Sequence, residues 1–172
     1  APEISKDGKT YVIRLKSGVF YHGHPAFEGR VRELDAEDVV MALKRIAFMP
    51  LNSPFRSFFA GTLVGFHEFG LLVQDDWKKL RTTDLEGAQA KGTKLTLKLL
   101  REEPNLIYYL AMAALAPVPW EVVEHHHNDL SKVLVGTGPY EYLGPSKQVH
   151  RLQMFDKYRE DFYPTTGDRY AN

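Results

Sequence analysis

The chain has 172 residues, with Lys plus Arg and Asp plus Glu both at 22, so its formal net charge is zero and no global field draws it to nucleic acid or acidic membranes. A hydrophobic share of 44% and an aromatic share of 12% suit one sizeable globular domain with a real core. Cysteine is absent, which excludes disulfides, thiolate metal sites and a cysteine nucleophile.

The opening Ala1-Pro2-Glu3-Ile4-Ser5-Lys6 has no basic start followed by an apolar run, so no signal peptide is read there. The longest apolar stretch, Leu106 to Val118, is broken by Pro117 and is too short to span a bilayer. A soluble mature chain is expected.

Asp7-Gly8 signals a turn, and Tyr11, Ile13 and Leu15 alternate with their neighbours in the period of a half-buried strand that Ser17-Gly18 ends. Val19 to Tyr21 reads as a short continuation before a turn at His22-Gly23-His24-Pro25. Asp35 is a good helix N-cap, so a helix should begin at Ala36. Ala36, Val39, Val40, Leu43, Ile46 and Ala47 then form one buried stripe, and Pro50 stops any continuation.

From Leu51 to Leu72 the chain is rich in phenylalanine and glycine, and reads as a short helix near Pro54 to Ala60 followed by irregular chain. Gln74 to Gly92 is polar and reads as an exposed loop with some helix. Leu95, Leu97 and Leu99 alternate with polar residues as a second amphipathic strand. Pro104 suits the first turn of a helix through Ala113, and Pro119 the start of another from Trp120 to His126. Strands are expected near Tyr140 to Leu143 and Val149 to Phe155, and a frayed tail from Thr165 to Asn172.

Several constellations invite chemistry and then lose it. His125-His126-His127 offers three imidazoles, but adjacent helical residues point about a third of a turn apart, so a solvated polar helix end is expected. His22 and His24 flank Gly23 and could meet an ion in a turn, but what the chain resembles places ordinary turn residues there. Asp35, Glu37 and Asp38 are explained by the positive end of the helix, and Gly136-Thr137-Gly138 lacks the lysine of a phosphate loop. None of the serines stands in a Gly-x-Ser-x-Gly elbow. No enzyme, no metal site and no cofactor are expected.

Four phrases occur in a fixed order. They are Asp7-Gly8-Lys9-Thr10-Tyr11-Val12-Ile13-Arg14-Leu15-Lys16-Ser17-Gly18-Val19; then Arg32-Glu33-Leu34-Asp35-Ala36-Glu37-Asp38-Val39-Val40 running on to Leu43-Lys44-Arg45-Ile46; then Leu110-Ala111-Met112 with Ala116-Pro117-Val118-Pro119; and last Val133-Leu134-Val135-Gly136-Thr137-Gly138-Pro139-Tyr140. Together they resemble the extracytoplasmic solute-binding proteins of ABC importers, family 5, the group of oligopeptide- and dipeptide-binding proteins. Phe155-Asp156-Lys157-Tyr158 resembles that family's Asn-Pro-x-Tyr region, with Phe155-Asp156 in place of Asn-Pro.

The resemblance implies an α+β fold forming part of the amino-terminal lobe of a two-lobed, type II receptor. Residues 1–119 would be the small subdomain inserted in that lobe and residues 120–172 the return segment, with the second lobe absent, so a piece of a longer receptor is expected. It implies capture of peptides or similar solutes between lobes, delivery to a membrane permease, and a periplasmic or extracytoplasmic location without direct membrane insertion. Asn52-Ser53-Pro54-Phe55 resembles a family segment facing the interlobe cleft, which makes Phe55 the candidate ligand-binding residue. A solute-sensing domain of a regulatory protein is the alternative, and a metal-dependent enzyme built on the histidines a more distant one.

Overall fold

The computed structural model describes residues 2–146 and 149–159. Its organising element is helix α1, Ala36–Ala47. Asp35 accepts the backbone N–H of Asp38 at 3.2 Å while the Asp38 carboxylate accepts that of Asp35 at 3.1 Å, which satisfies two N–H groups that a helix start leaves without partners. Glu37 and Asp38 lie in the first turn and Lys44 and Arg45 in the last, both favourable to the helix dipole. Val39, Val40, Leu43 and Ile46 are all buried, as their spacing requires.

That stripe packs on an antiparallel sheet of four strands: β1 (Glu3–Ile4), β2 (Thr10–Arg14), β3 (Ala88–Lys91) and β4 (Lys94–Lys98), in the order β1-β2-β4-β3. Tyr11 stands opposite Leu97 and Ile13 opposite Leu95, so the inward residues of β2 and β4 face α1 together. Both strands begin and end one residue before the stretches expected from alternation alone.

The largest departures from the sequence expectation lie between residues 66 and 91. Residues 66–73 form helix α3 rather than irregular chain, and bury Phe66, Phe69 and Val73 on one face. Within the segment expected to be an exposed loop, Leu80 of the short helix α4 (Lys79–Thr82) and Leu85 are buried, and Ala88–Lys91 is strand β3. The turn at Gly92-Thr93 returns the chain into β4, so tertiary pairing makes a strand of residues with little intrinsic preference for one.

Short helices complete the layer on the α1 side: α2 (Arg56–Ala60) and α5 (Leu106–Leu110), followed by a 3-10 turn at Ala113–Leu115. Helix α6, Trp120–His125, carries Val123 into the main core and Val122 into a smaller cluster with Tyr21, Phe27 and Leu34. The expected continuation of the first strand is a single bridge between Phe20 and Glu33.

The chain ends its described course in a ribbon, β5 (Tyr140–Ser146) with β6 (Val149–Met154). Tyr140 pairs with Met154 and Tyr142 with Leu152, which sets these side chains on one face, and Tyr140, Leu152 and Met154 are each more than half exposed. The expected frayed tail, Thr165 to Asn172, lies outside the described residues.

Candidate functional site

Phe55 follows a left-handed Asn52 and the Ser53-Pro54 pair, and stands at the residue that caps α2. The backbone N–H of Arg56 bonds to the Ser53 carbonyl at 3.1 Å, which holds this entry turn. Phe55 is half-buried and lines a hollow of about 250 Å³ whose exposed lining is wholly apolar. Phe58 and Phe59 of α2 form one side of it. Tyr109 of α5, Met112, Ala114 and Leu115 form the other.

The walls are fixed by ring packing. Phe58 lies 4.4 Å from Tyr109 and 5.0 Å from Phe59, centroid to centroid, and Phe59 is itself buried. The Thr62 hydroxyl donates to the Phe58 carbonyl at 2.8 Å and ties the end of α2 to the following turn. A hollow of this kind accepts an apolar side chain and penalises a charged one, because no polar atom is there to replace the water that a charge would lose.

Sequence reasoning reached Phe55 through the resemblance and missed Tyr109, Met112 and Leu115. These lie more than fifty residues further along the chain, and their spacing reads as that of ordinary core residues. The one available signal was that Leu110-Ala111-Met112 is itself one of the shared phrases.

A second hollow, of about 470 Å³, is charged. At its edge Arg32 donates from Nη2 to Asp38 at 2.7 Å and from Nε to Glu121 at 2.9 Å, with Asp35 at 3.5 Å. Burial pushes the Asp38 carboxyl up to about 6, since the Asp35 N–H and the Arg32 charge only partly offset the loss of water. Burial works against the Arg32 charge too, but the carboxylates around it prevail and raise its pKa. Burial and then the Asp38 charge hold the Tyr21 hydroxyl protonated far above its ordinary range. This network joins β-bridge, α1 and α6, and is a structural clasp. A further hollow of about 510 Å³ beside α3 presents His67, Glu68, Asp84 and Glu86.

The histidines assemble differently from expectation. His22 donates from Nε2 to the Gly138 carbonyl, 2.9 Å away, and its ring meets Phe155 edge-on at 4.9 Å, so it pins the Gly136-Thr137-Gly138 loop. His24 caps the 3-10 turn Pro25–Phe27 and reaches His126. His126 is therefore half-buried in a contact, where a solvated helix end was expected; adjacent ring directions diverge, but His125 and His126 both touch the ring of His24. Among the described residues no three His, Asp or Glu side chains converge in a way that could hold a metal ion.

Among the described residues no helix is long and apolar enough to cross a membrane. The chain superposes on part of solved receptors of the type II periplasmic binding-protein fold. A periplasmic oligopeptide-binding protein from Borrelia burgdorferi gives a TM-score of 0.70 at 19% identity, over 92% of this chain and 30% of that one. Listeria monocytogenes OppA bound to peptide gives 0.69 at 16% identity, over 92% and 29%. Helicobacter pylori DppA in complex with the peptide STSA gives 0.67 at 18% identity, over 94% and 30%.

The α+β architecture is thus part of a type II periplasmic binding-protein-like fold. Residues 1–167 match the family model of bacterial extracellular solute-binding proteins, family 5 (middle), and the chain belongs to that family. The dipeptide-binding protein of Escherichia coli (strain K12) is 36% identical over 69 residues, 40% of this chain and 12% of that protein. The chain therefore spans less than a third of the structures it matches, and its matched segment about an eighth of the curated relative.

Proposed function

We propose that this chain is part of the substrate-binding component of an ABC importer and supplies one wall of the cleft in which peptides or similar solutes are captured. The observation that carries this reading is the apolar hollow at Phe55, in a chain whose family relatives include dipeptide-binding proteins and whose structural neighbours were solved with peptides bound. Residues 1–119 act as the small subdomain of the amino-terminal lobe and residues 120–172 as its return segment. A second lobe, carried elsewhere in a longer protein, closes over the solute and supplies most of its polar anchors before delivery to a membrane permease.

The exposed apolar face of the β5–β6 ribbon supports this placement. Tyr140, Leu152 and Met154 stand in solvent on one face, and such a face is what the remainder of a larger receptor would cover. The protein works outside the cytoplasmic membrane and no catalytic step is part of its action.

Calorimetry on a receptor containing this segment tests the reading. Peptides with an apolar side chain should bind, and Phe55→Asp should weaken them about a hundred-fold or more, since an unpaired carboxylate would enter an apolar wall. The 172-residue chain by itself should bind them weakly, because one wall leaves a ligand largely solvated. Unchanged affinity in Phe55→Asp would remove this wall from the site.

A further inference from the structure

The face of the sheet turned away from α1 carries a row of cations that the fold does not require. Lys91 of β3 stands directly opposite Lys94 of β4, and Lys94 directly opposite Arg14 of β2. All three are exposed, and the inward burial of Leu95, Leu97 and Tyr11 puts them on the outer face. Lys98 lies on the same face of β4, and Lys16 follows β2 where the N–H of Leu15 still bonds to Thr93.

Like charges in direct cross-strand register destabilise a sheet. Edge lysines do protect a sheet from pairing with another chain, and Lys91 on the outer strand fits that role, but Lys94 and Lys98 occupy β4, which is paired on both sides. Among the described residues the one ion pair on this face is Arg14 with Glu3, 3.4 Å and exposed, and no carboxylate pairs with Lys91, Lys94 or Lys98. A net charge of zero conceals this one-sided distribution, which is why composition excludes a global field without excluding a local one.

We infer that this sheet face rests on an anionic phospholipid surface, with Arg14, Lys91, Lys94 and Lys98 among the headgroups. Charge complementarity selects an anionic partner. The face is formed by flat sheet residues such as Thr10, Val12, Gln89 and Thr96, with no aromatic side chain on which a base could stack. The family's extracellular placement also favours lipid over nucleic acid. The contact is peripheral: the cations neutralise headgroups and no segment enters the bilayer.

The test is co-sedimentation of the 172-residue chain with vesicles of phosphatidylcholine alone and with an equal part of phosphatidylglycerol. Binding should need the anionic lipid and should vanish near 1 M salt, where screening acts over about 3 Å. Lys91→Gln, Lys94→Gln and Lys98→Gln should each lower partition about five-fold, in line with the free energy of one cation at an acidic surface. A Lys78→Gln/Lys79→Gln variant near α4 should leave it unchanged. Circular dichroism melts should show the triple variant at least as stable as the parent, since it loses repulsion. Equal binding to neutral vesicles, an unaffected triple variant, or binding to a DNA duplex without binding to anionic vesicles would each overturn the inference.

Discussion

Nε2 of His24 and Nε2 of His126 face each other at 3.0 Å across 102 residues of chain. The other ring nitrogen of His24 accepts the N–H of Ala26 at 3.1 Å and so carries no proton. The proton of a neutral His24 therefore sits on Nε2 and donates to His126, which must be unprotonated at that atom. His125 meets both rings, at 5.5 and 4.9 Å, and the His126 charge is one of the smaller influences that lower the Asp129 pKa.

A pH dependence follows. Burial, and then the charges of His126 and His125, lower the His24 pKa below 6.5. The unfolded chain then binds the proton first, so this contribution to stability is complete above about pH 6.5 and is lost as the pH falls through that value toward the folded pKa. Asp38 acts in the opposite sense, because its raised pKa lets the folded state take up a proton below about 6. His24→Asn keeps a side chain able to cap Ala26 but neither titrates nor reaches His126. Melts should show the variant about 1 kcal/mol less stable at about pH 7.5 and nearly equal to the parent at about pH 5. A gap independent of pH would show that the ring pair is not the titrating element.

Leu43 is fully buried between α1 and the sheet. Leu43→Ala should cost about 3 kcal/mol and lower Tm by roughly 6–12 °C. Leu134→Ala, at an exposed site, should stay within about 0.5 kcal/mol. Denaturant melts of the two variants check the assignment of core and surface.

Gly87 sits where β3 begins, with its carbonyl accepting Lys98 N–H at 2.8 Å. A Cβ there would fall on the Val64 carbonyl and within 2.8 Å of the Leu63 side chain and the Val64 nitrogen, neither of which can swing away. Gly87→Ala should destabilise by about 2 kcal/mol or more and increase hydrogen exchange in Ala88 to Lys91 first. Gly92→Ala, with open space around it but a left-handed φ of 58°, should cost only about 1 kcal/mol.

What the sequence makes legible follows from where its signals are local. Helix α1 is readable to the residue because Asp35, the apolar stripe and Pro50 lie within a few turns of one another. Helix α3 is hidden by Gly65 and Gly70, which read as breakers, although the buried Phe66, Phe69 and Val73 carry helical spacing. Strand β3 has only Ala88, Gln89, Ala90 and Lys91 to announce it, and depends on its partner. At the site, Phe55 is legible through a resemblance, whereas the opposite wall of Tyr109 and Met112 is joined to it only by the fold. The His24–His126 contact is likewise invisible to reasoning that takes each histidine group alone.

Arg32 offers the sharpest test of the buried clasp. Its guanidinium spans Asp38, whose side chain is 1% exposed, and Glu121 on α6, and so holds the start of α1 to the helix that follows Pro119. Arg32→Met preserves much of the apolar stem and removes the charge, leaving the Asp38 carboxylate buried beside the Asp35 N–H and the Tyr21 hydroxyl with no cation to balance it. Breaking such a pair typically costs about 3–5 kcal/mol. The deficit carries its own pH signature. Without Arg32 the Asp38 pKa rises above its present value of about 6, so the folded variant binds a proton that the unfolded chain does not take up until near 3.8. Stability should therefore recover as the pH falls through that raised pKa, and the gap between variant and parent should be widest near pH 8 and clearly smaller near pH 5. Asp38→Asn in the Arg32→Met background should flatten the difference, because a neutral amide has no proton to gain. An Arg32→Met deficit that is constant from pH 8 to pH 5 would show that the guanidinium acts through packing and not through the buried carboxylate.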